Sequence, residues 1–277
     1  MGREGKKRID LLLVEKGFFS SREQAQRAVM AGLVFYQGRK IEKAGTFVAP
    51  GGEIEVKGDP CPYVSRGGVK LDAALQEFGI DVKDKVVLDA GASTGGFTHC
   101  LLKKGAKRVY AVDVGYGQLA WELRQDPRVI VLERINIRYL TPEILAAKVD
   151  LVTLDLSFIS LQKVLPAVKK LLKSEGQVLA LVKPQFEAGR TLVGKGGIVR
   201  DPEVHVRVLE QVITGARGLG FNIGGLTHSP LPGADGNIEF FLWMHLEQAG
   251  LSRKISPEAV REVVARAHAT LRDRPEN

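Results

Sequence analysis

Val86-Val-Leu-Asp-Ala-Gly-Ala-Ser-Thr-Gly-Gly-Phe97 joins an apolar run to a glycine-rich turn, and its reading decides the fold. A short apolar run that reaches Asp89 and then meets glycines at 91, 95 and 96 is the pattern of a buried strand breaking into a ligand-facing turn. The stretch Lys85 to Leu88 and the run Arg108 to Val112, closed by Asp113, predict two successive strands of a parallel sheet, with a helix over Thr98 to Lys104 between them. That is a nucleotide-type βαβ unit. Its acid, Asp113, falls about 20 residues past the glycine turn, where a carboxylate can accept the two hydroxyls of a ribose. A dinucleotide fingerprint needs Gly-x-Gly-x-x-Gly, and Ser93 stands at its third position, so a pyrophosphate cradle is disfavoured.

Working outward, further strands are predicted at 128–132, 149–155, 177–182, 221–228 and 237–245. Together they make a seven-stranded α/β, Rossmann-like, doubly wound sheet. The last two strands flank Ser229-Pro-Leu-Pro-Gly-Ala-Asp-Gly236 and read as an antiparallel pair closing the sheet. Residues 57–63, Lys-Gly-Asp-Pro-Cys-Pro-Tyr, have the turn and proline density of a linker. The expected division is therefore a small domain over 1–57, a linker over 58–64, a large domain over 65–247 and a tail over 248–277. The tail carries a helix from Ser256, with Pro257 and Glu258 in its first turn, to about Arg272.

The small domain predicts a helix over Ile9 to Lys16 and a second helix through Ala31, opened by Ser20 and Glu23 at capping-box spacing and ended by Gly32. Short strands at Leu33 to Tyr36 and Glu53 to Val56 complete an α+β module. Arg8, Arg22, Arg27, Arg39 and Lys40 give it basic edges. With 40 Lys and Arg against 32 Asp and Glu, the whole chain carries +8, which suits a polyanionic partner. The 277 residues suffice for one large core and a satellite domain. Cys61 and Cys100 lie far apart without metal-ligand spacing, so reduced thiols in a cytoplasmic protein without a metal site are expected. The charged N-terminal stretch has no apolar core behind it, and no segment approaches the roughly 18 apolar residues of a membrane span.

In an open parallel sheet the ligand lies beyond the carboxyl ends of the strands. Asp155 closes the strand Asp150-Leu-Val-Thr-Leu154, and Lys183 closes Val178-Leu-Ala-Leu-Val182. A charge that follows an apolar strand must face a cleft or another charge. Glu239 is read as lying inside the last strand, where a lone carboxylate is costly unless paired. Lys70 lies in the entry helix before the first strand of the large domain.

Several resemblances follow from these residues. Asp-x-Gly-x-x-x-Gly at 89–95 resembles motif I of the S-adenosylmethionine-dependent methyltransferases, and seven strands ending in an antiparallel pair resemble their class I fold. Arg8-Ile-Asp-Leu, Ser21-Arg22-Glu-Gln-Ala25, Ala31-Gly32-Leu-Val and Gly38 resemble the RNA-binding domain named after the fourth small-subunit ribosomal protein. Domains of that kind grip folded RNA by shape and phosphate charge. Lys70, Asp155, Lys183 and Glu239 resemble the Lys-Asp-Lys-Glu tetrad of FtsJ-type RNA ribose 2′-O-methyltransferases. The runs Gly91 to Phe97, Asp113 to Trp121, Asp155 to Ser160, Lys183 to Glu187 and Ser229 to Gly233 extend the match to the TlyA-like rRNA methyltransferases, historically labelled haemolysins.

The resemblance implies S-adenosylmethionine as methyl donor, ribosomal RNA within ribosomal subunits as partner and the ribose of a cytidine as acceptor. It implies that Gly91, Ala92, Ser93, Gly95, Gly96 and Phe97 wrap the methionine end of the cofactor, with Asp89 near its ammonium, Asp113 at its ribose and Asn136 at the adenine edge. Arg66 is the expected RNA-phosphate contact beside the tetrad. A ribose hydroxyl is a poor nucleophile at neutral pH, so its proton must be removed or polarised. A second ammonium nearby and a partly dry cleft favour a neutral lysine, which assigns Lys183 as base. Asp155 then orients Lys183, and Glu239 holds Lys70 or the incoming hydroxyl.

Three other readings lose on sequence. Amino-group base methylation usually places Asn or Asp before Pro-Pro and an aromatic residue, whereas this chain has Asp155-Leu-Ser-Phe158; carbon-5 methylation needs a nucleophilic cysteine, and Cys61 lies in the linker. A noncatalytic ribosome-binding factor would not need the full tetrad. Membrane lysis finds neither a span nor a sustained amphipathic stripe. Gly189 to Lys195 mimics a phosphate-binding loop but has Gly196 in place of the magnesium-ligating Ser or Thr, so chance is the better explanation of the match; the stretch through Gly197 is glycine-rich and basic, which suits an RNA-facing loop.

Overall fold

The computed structural model describes residues 5–19, 21–30, 32–58, 61–233, 236–246 and 255–272. The chain divides into two compact units, Met1–Val64 and Ser65–Asn277. In the first, a two-residue strand β1 (Lys7–Arg8) leads into helices α1 (Ile9–Glu15) and α2 (Arg22–Met30). The short strands β2 (Val34–Tyr36), β3 (Arg39–Lys40), β4 (Phe47–Val48) and β5 (Ile54–Val56) follow. β2 is central to an antiparallel β3-β2-β5 sheet, and β1 pairs with β4. Ile9, Leu12, Leu13, Ala25, Ala28, Val29 and Val34 form the core, at the three- and four-residue spacing that puts one face of each helix inward. Ser20 and Ala31 lie outside the described residues. At the start of α2 the Ser21 hydroxyl accepts a bond from the Gln24 amide at 3.3 Å, so the cap falls one residue later than the expected Ser20.

The second unit begins with α3 (Gly67–Phe78), then β6 (Val86–Ala90), α4 (Gly96–Lys103), β7 (Arg108–Asp113), α5 (Trp121–Arg124) and β8 (Val129–Glu133). It continues through β9 (Val149–Leu154), α6 (Leu165–Leu171), β10 (Leu172–Val182), α7 (Pro184–Glu187) and α8 (Pro202–Gly218). The last elements are β11 (Asn222–His228), β12 (Phe240–His245) and α9 (Pro257–Arg272). The seven strands order as β11-β12-β10-β9-β6-β7-β8, and β12 runs antiparallel to both of its neighbours. The closing pair does not simply extend the edge, because β12 inserts between β10 and β11.

Three boundaries differ from expectation for local reasons. α4 starts at Gly96 rather than Thr98, since Gly95 takes a left-handed φ of 96° and turns the chain directly into the helix. β10 reaches back to Leu172 across an irregularity between Leu172 and Gln177. Glu239 precedes β12 instead of lying within it. α8 shows how sequence builds a helix here: the Asp201 side chain accepts from Glu203 N at 2.9 Å, Pro202 opens the first turn, and Val204, Val208, Val212 and Ala216 bury one face. Residues 234–235 of the expected closing turn, 59–60 of the linker, and 248–254 and 273–277 of the tail lie outside the described residues. Among the described residues, no helix is long and apolar enough to cross a membrane.

Candidate active site

Strand order places the site. β6 pairs with β7 on one side and β9 on the other, so the chain direction of winding reverses there and the crevice opens at the carboxyl ends of β6 and β9. A cleft of about 530 Å³ lies at that edge, and Gly91, Asp113, Asn136 and Asp155 are in its wall. Leu156, Phe158 and Ile159 on one side and Ile135 and Ile137 on the other make the rest largely apolar.

Asp113 is held at the lip by two backbone donors, Ser93 N–H at 2.8 Å and Gly115 N–H at 2.7 Å. The first requires Ser93 to adopt φ 48°, a left-handed conformation costly for a residue with a Cβ and typical of functional turns. Asn136 caps the 3-10 turn Ile137–Tyr139 by accepting from Arg138 N at 3.0 Å. Gly91, at φ 85°, must be glycine because a Cβ there would fall on the carbonyl oxygen of Asp155.

Five of the expected cofactor contacts are not on the cleft wall. Asp89 is fully buried, and its carboxylate accepts from the Thr98 hydroxyl at 2.7 Å and the Thr153 hydroxyl at 3.0 Å. The cause is the two-residue alternation of a strand: Asp89 shares its face with Thr153, its partner across the ladder, while Leu88 and Ala90 enter the main core. Phe97 is buried and stacks on Phe241 with centroids 6.2 Å apart. Ala92 is buried as well, its amide bonded to Val112 O at 3.1 Å. A Cβ at Gly95 would strike Leu123, and one at Gly96 would meet the Ser65 hydroxyl and, at 2.9 Å, Gly68 N. At those two glycines the absence of a Cβ permits close packing of α3, α4 and α5.

Burial holds the Asp89 carboxyl up, from 3.8 to about 7, against the two threonine donors that pull it down. A carboxyl raised in the folded state contributes stability that is complete at low pH and lost as pH rises through about 7. Relative to Asp89→Asn, the parent should therefore lose on the order of 4 kcal/mol between acid and pH 8. Chemical denaturation of both proteins across that range tests this, and a pH-independent difference would refute it.

The tetrad residues form two ion pairs. Lys70, on α3, and Glu239 are both buried, with Lys70 Nζ 2.7 Å from Glu239 Oε2. Lys183 Nζ lies 2.7 Å from Asp155 Oδ1. That contact is coulombic, because among the described residues Oδ1 receives no well-directed hydrogen bond; the directed bond from Lys183 goes to the Ser157 hydroxyl at 3.1 Å. Burial pushes the Glu239 carboxyl above the usual range, opposed by Lys70 and, more weakly, by Lys183. Asp155 also acts on Glu239, in the raising sense, so all four groups share one electrostatic neighbourhood.

Sequence reading missed three supports of this cluster. Ser157 is the hydrogen-bond partner of Lys183. Gly233 must be glycine because a Cβ would overlap the Glu239 carboxylate. Asn237, buried, accepts from Val199 N and donates to Gly197 O, both at 3.1 Å, tying the basic glycine loop to the chain entering β12. The run Ser229 to Gly233 carried the signal for Gly233, but which side chain that glycine accommodates is a tertiary fact. Arg66, exposed, sits at the N-terminal boundary of α3.

In the first unit, fully buried Asp10 accepts from Arg8 Nε and Nη2 at 3.0 and 2.9 Å, Arg22 Nε at 3.0 Å and Gln26 Nε2 at 2.8 Å. The Arg8 guanidinium, first among these, drives the Asp10 carboxyl far below its ordinary value. Two guanidinium groups thus share one carboxylate and keep outward donors. Arg39 and Lys40 are exposed on β3, and Arg27 is half-buried on α2.

A family model described as FtsJ-like methyltransferase matches residues 63–246, and one described as the S4 domain matches residues 7–54. The 16S/23S rRNA (cytidine-2'-O)-methyltransferase TlyA of Mycobacterium tuberculosis is 47% identical over 94% of this chain and 96% of its own length. Hemolysin A of Brachyspira hyodysenteriae is 43% identical over 84% of this chain and 97% of its own. A solved structure from Streptococcus thermophilus, provisionally named a hemolysin, matches with a TM-score of 0.76 and 46% identity, covering 97% of this chain and 98% of its own.

Proposed function

This chain belongs to the FtsJ-like methyltransferase family, and from that premise we propose that it transfers a methyl group from S-adenosylmethionine to the ribose 2′-oxygen of a cytidine in ribosomal RNA. The observation that carries the reading is the convergence of Lys70, Asp155, Lys183 and Glu239, from four separate segments, beside a cleft of about 530 Å³. A base-modifying site would need no such pair of lysines next to its acceptor.

The cleft fits the donor on its own chemistry. Asp113 uses one lone pair of each oxygen on backbone amides, which leaves both oxygens able to accept from ribose hydroxyls. Asn136 offers an amide donor in the same cleft wall, and the apolar side chains of Leu156 and Ile159 suit a purine. When bound, S-adenosylmethionine supplies a methyl group already activated by its sulfonium.

The residues of this chain supply position and proton transfer. Lys183, in its neutral form, takes the proton of the ribose hydroxyl onto Nζ and becomes an ammonium beside Asp155. The bond to Ser157 fixes one direction around that nitrogen, and the charge of Asp155 holds it in place beside the cleft. Lys70, held in the buried pair with Glu239, places a second cation in the same neighbourhood as Lys183. Arg66, and in the first unit Arg8, Arg22, Arg27, Arg39 and Lys40, would grip phosphates, with Asp10 organising two of them. That unit's resemblance to a ribosomal-protein domain supports a folded ribosomal substrate, in which RNA is presented within a subunit.

The direct test incubates the protein with radiolabelled S-adenosylmethionine and unmodified small or large ribosomal subunits, or their deproteinised RNA, and maps the label to an atom. Label on a ribose oxygen of a cytidine is expected, with subunits the better substrate; label on a base would overturn the reading.

Gly233→Ala tests the cluster from outside it. The added methyl must displace the Glu239 carboxylate, so methyl transfer should fall roughly tenfold to a hundredfold. Binding of S-adenosylhomocysteine, measured by calorimetry, should stay at the parent value. An unchanged rate would show that Glu239 need not be held.

A further inference from the structure

Glu187 closes the run Lys183 to Glu187 and has no part in the proton transfer. It is a half-buried carboxylate four residues past Lys183, and both of its oxygens bond to the segment that follows β9. Oε2 accepts from the Ser160 hydroxyl and Oε1 from the Leu161 amide, each at 2.7 Å. Burial raises its carboxyl above the usual range, although both bonds oppose that shift.

The backbone ladder between β9 and β10 ends at Leu154 and Ala180. Past that register the chain runs on as residues 155–161 from one strand and 183–187 from the other, and side chains join the two segments. Lys183 meets Asp155 and Ser157, Phe186 meets Phe158 at a centroid distance of 5.0 Å, and Glu187 meets Ser160 and Leu161. The first segment is strained, because Phe158 takes φ 63°. A bulky residue in that region costs roughly 1–3 kcal/mol and persists only where neighbours over-determine it. Charge-assisted bonds are the strongest neighbours available, and here each carboxylate oxygen takes one donor from the segment.

We propose that Glu187 is a positioning residue whose carboxylate locks residues 155–161 onto residues 183–187, holding Asp155 and Ser157 against Lys183 and Leu156 and Ile159 in the cleft wall. The inference rests on the reading of Lys183 as the base. It makes one carboxylate responsible for both the geometry of the base and the shape of the cofactor cleft.

The test compares Glu187→Ala, Glu187→Gln and Lys183→Ala in steady-state methylation of ribosomal subunits at a temperature well below unfolding. For Glu187→Ala, kcat should fall roughly tenfold to a hundredfold and KM for S-adenosylmethionine should rise several-fold. Glu187→Gln retains one acceptor and should recover most of the rate. Parent-like kcat and KM in Glu187→Ala, with Lys183→Ala inactive, would overturn the inference alone. Equal losses in the Ala and Gln variants, tracking equal losses in thermal stability, would also overturn it. Full activity in Lys183→Ala would instead remove the reading on which it rests.

Discussion

Lys183→Ala should lower the rate of methyl transfer by about 10² to 10⁴-fold, the usual contribution of a positioned base, while leaving affinity for S-adenosylhomocysteine unchanged. The expected size follows from the acceptor: its hydroxyl is weakly acidic, so the rate depends on a group that can take the proton as the new bond forms. Lys183 is placed for this by its ion pair with Asp155 and its bond to Ser157. Lys183→Arg separates the base role from a purely electrostatic one, because a guanidinium keeps its charge but cannot be deprotonated in a protein. Recovery of activity in the arginine variant would mean that charge suffices and that proton removal happens elsewhere. Both rates would be read as single-turnover label transfer.

Lys70→Met should cost about 3–5 kcal/mol of stability at neutral pH, because it leaves the Glu239 carboxylate buried without its partner. The loss should depend on pH with a definite sign. Burial already raises the Glu239 carboxyl above 4.5, and removing Lys70, which opposes that shift, raises it further. A group raised in the folded state stabilises fully below its unfolded value and loses that contribution as pH rises through its folded value. The deficit of Lys70→Met should therefore shrink as pH falls from neutrality toward 4.5. Denaturant midpoints at two pH values test it, and a deficit that grows in acid would contradict the assignment. Adding Glu239→Leu to Lys70→Met should recover stability without recovering methylation, since a buried pair is replaced well by apolar groups of similar volume. The pair is then retained for chemistry and not for folding.

Much of this was legible in the chain because it rests on local periodicity. Apolar runs of strand length, closed by Asp89, Asp113, Asp155 and Lys183, identified four of the five parallel strands by their ends. Asp113 and Asp155 were placed at the cleft from their positions at strand ends, a rule that follows from how open parallel sheets are wound, whereas Asn136 was placed there by the family resemblance. The glycine turn was legible only in part: a Cβ at Gly95 or Gly96 would meet protein atoms contributed by other helices, which the spacing of the turn does not show. A glycine in a turn reports only that space is short, and sequence does not say whether ligand or side chain fills it.

The sequence by itself determined the seven strands of the large sheet and the charged residues at or near the ends of four of them, because strand alternation and strand length are properties of contiguous residues. The resemblance of the tetrad anticipated the pairs Asp155–Lys183 and Glu239–Lys70, but residue pattern does not fix the surroundings of each charge. Asp89 turns from the cleft to two threonines because of its register with Thr153, 64 residues away. Lys70 and Glu239 are 169 residues apart and become a buried pair only when β12 inserts beside β10. Ser157, Gly233 and Glu187 acquire their roles from neighbours that sequence spacing does not specify. Short-range order is written in pattern, whereas the partner of a buried charge is chosen by the closed sheet, where desolvation makes an unpaired group too costly to persist.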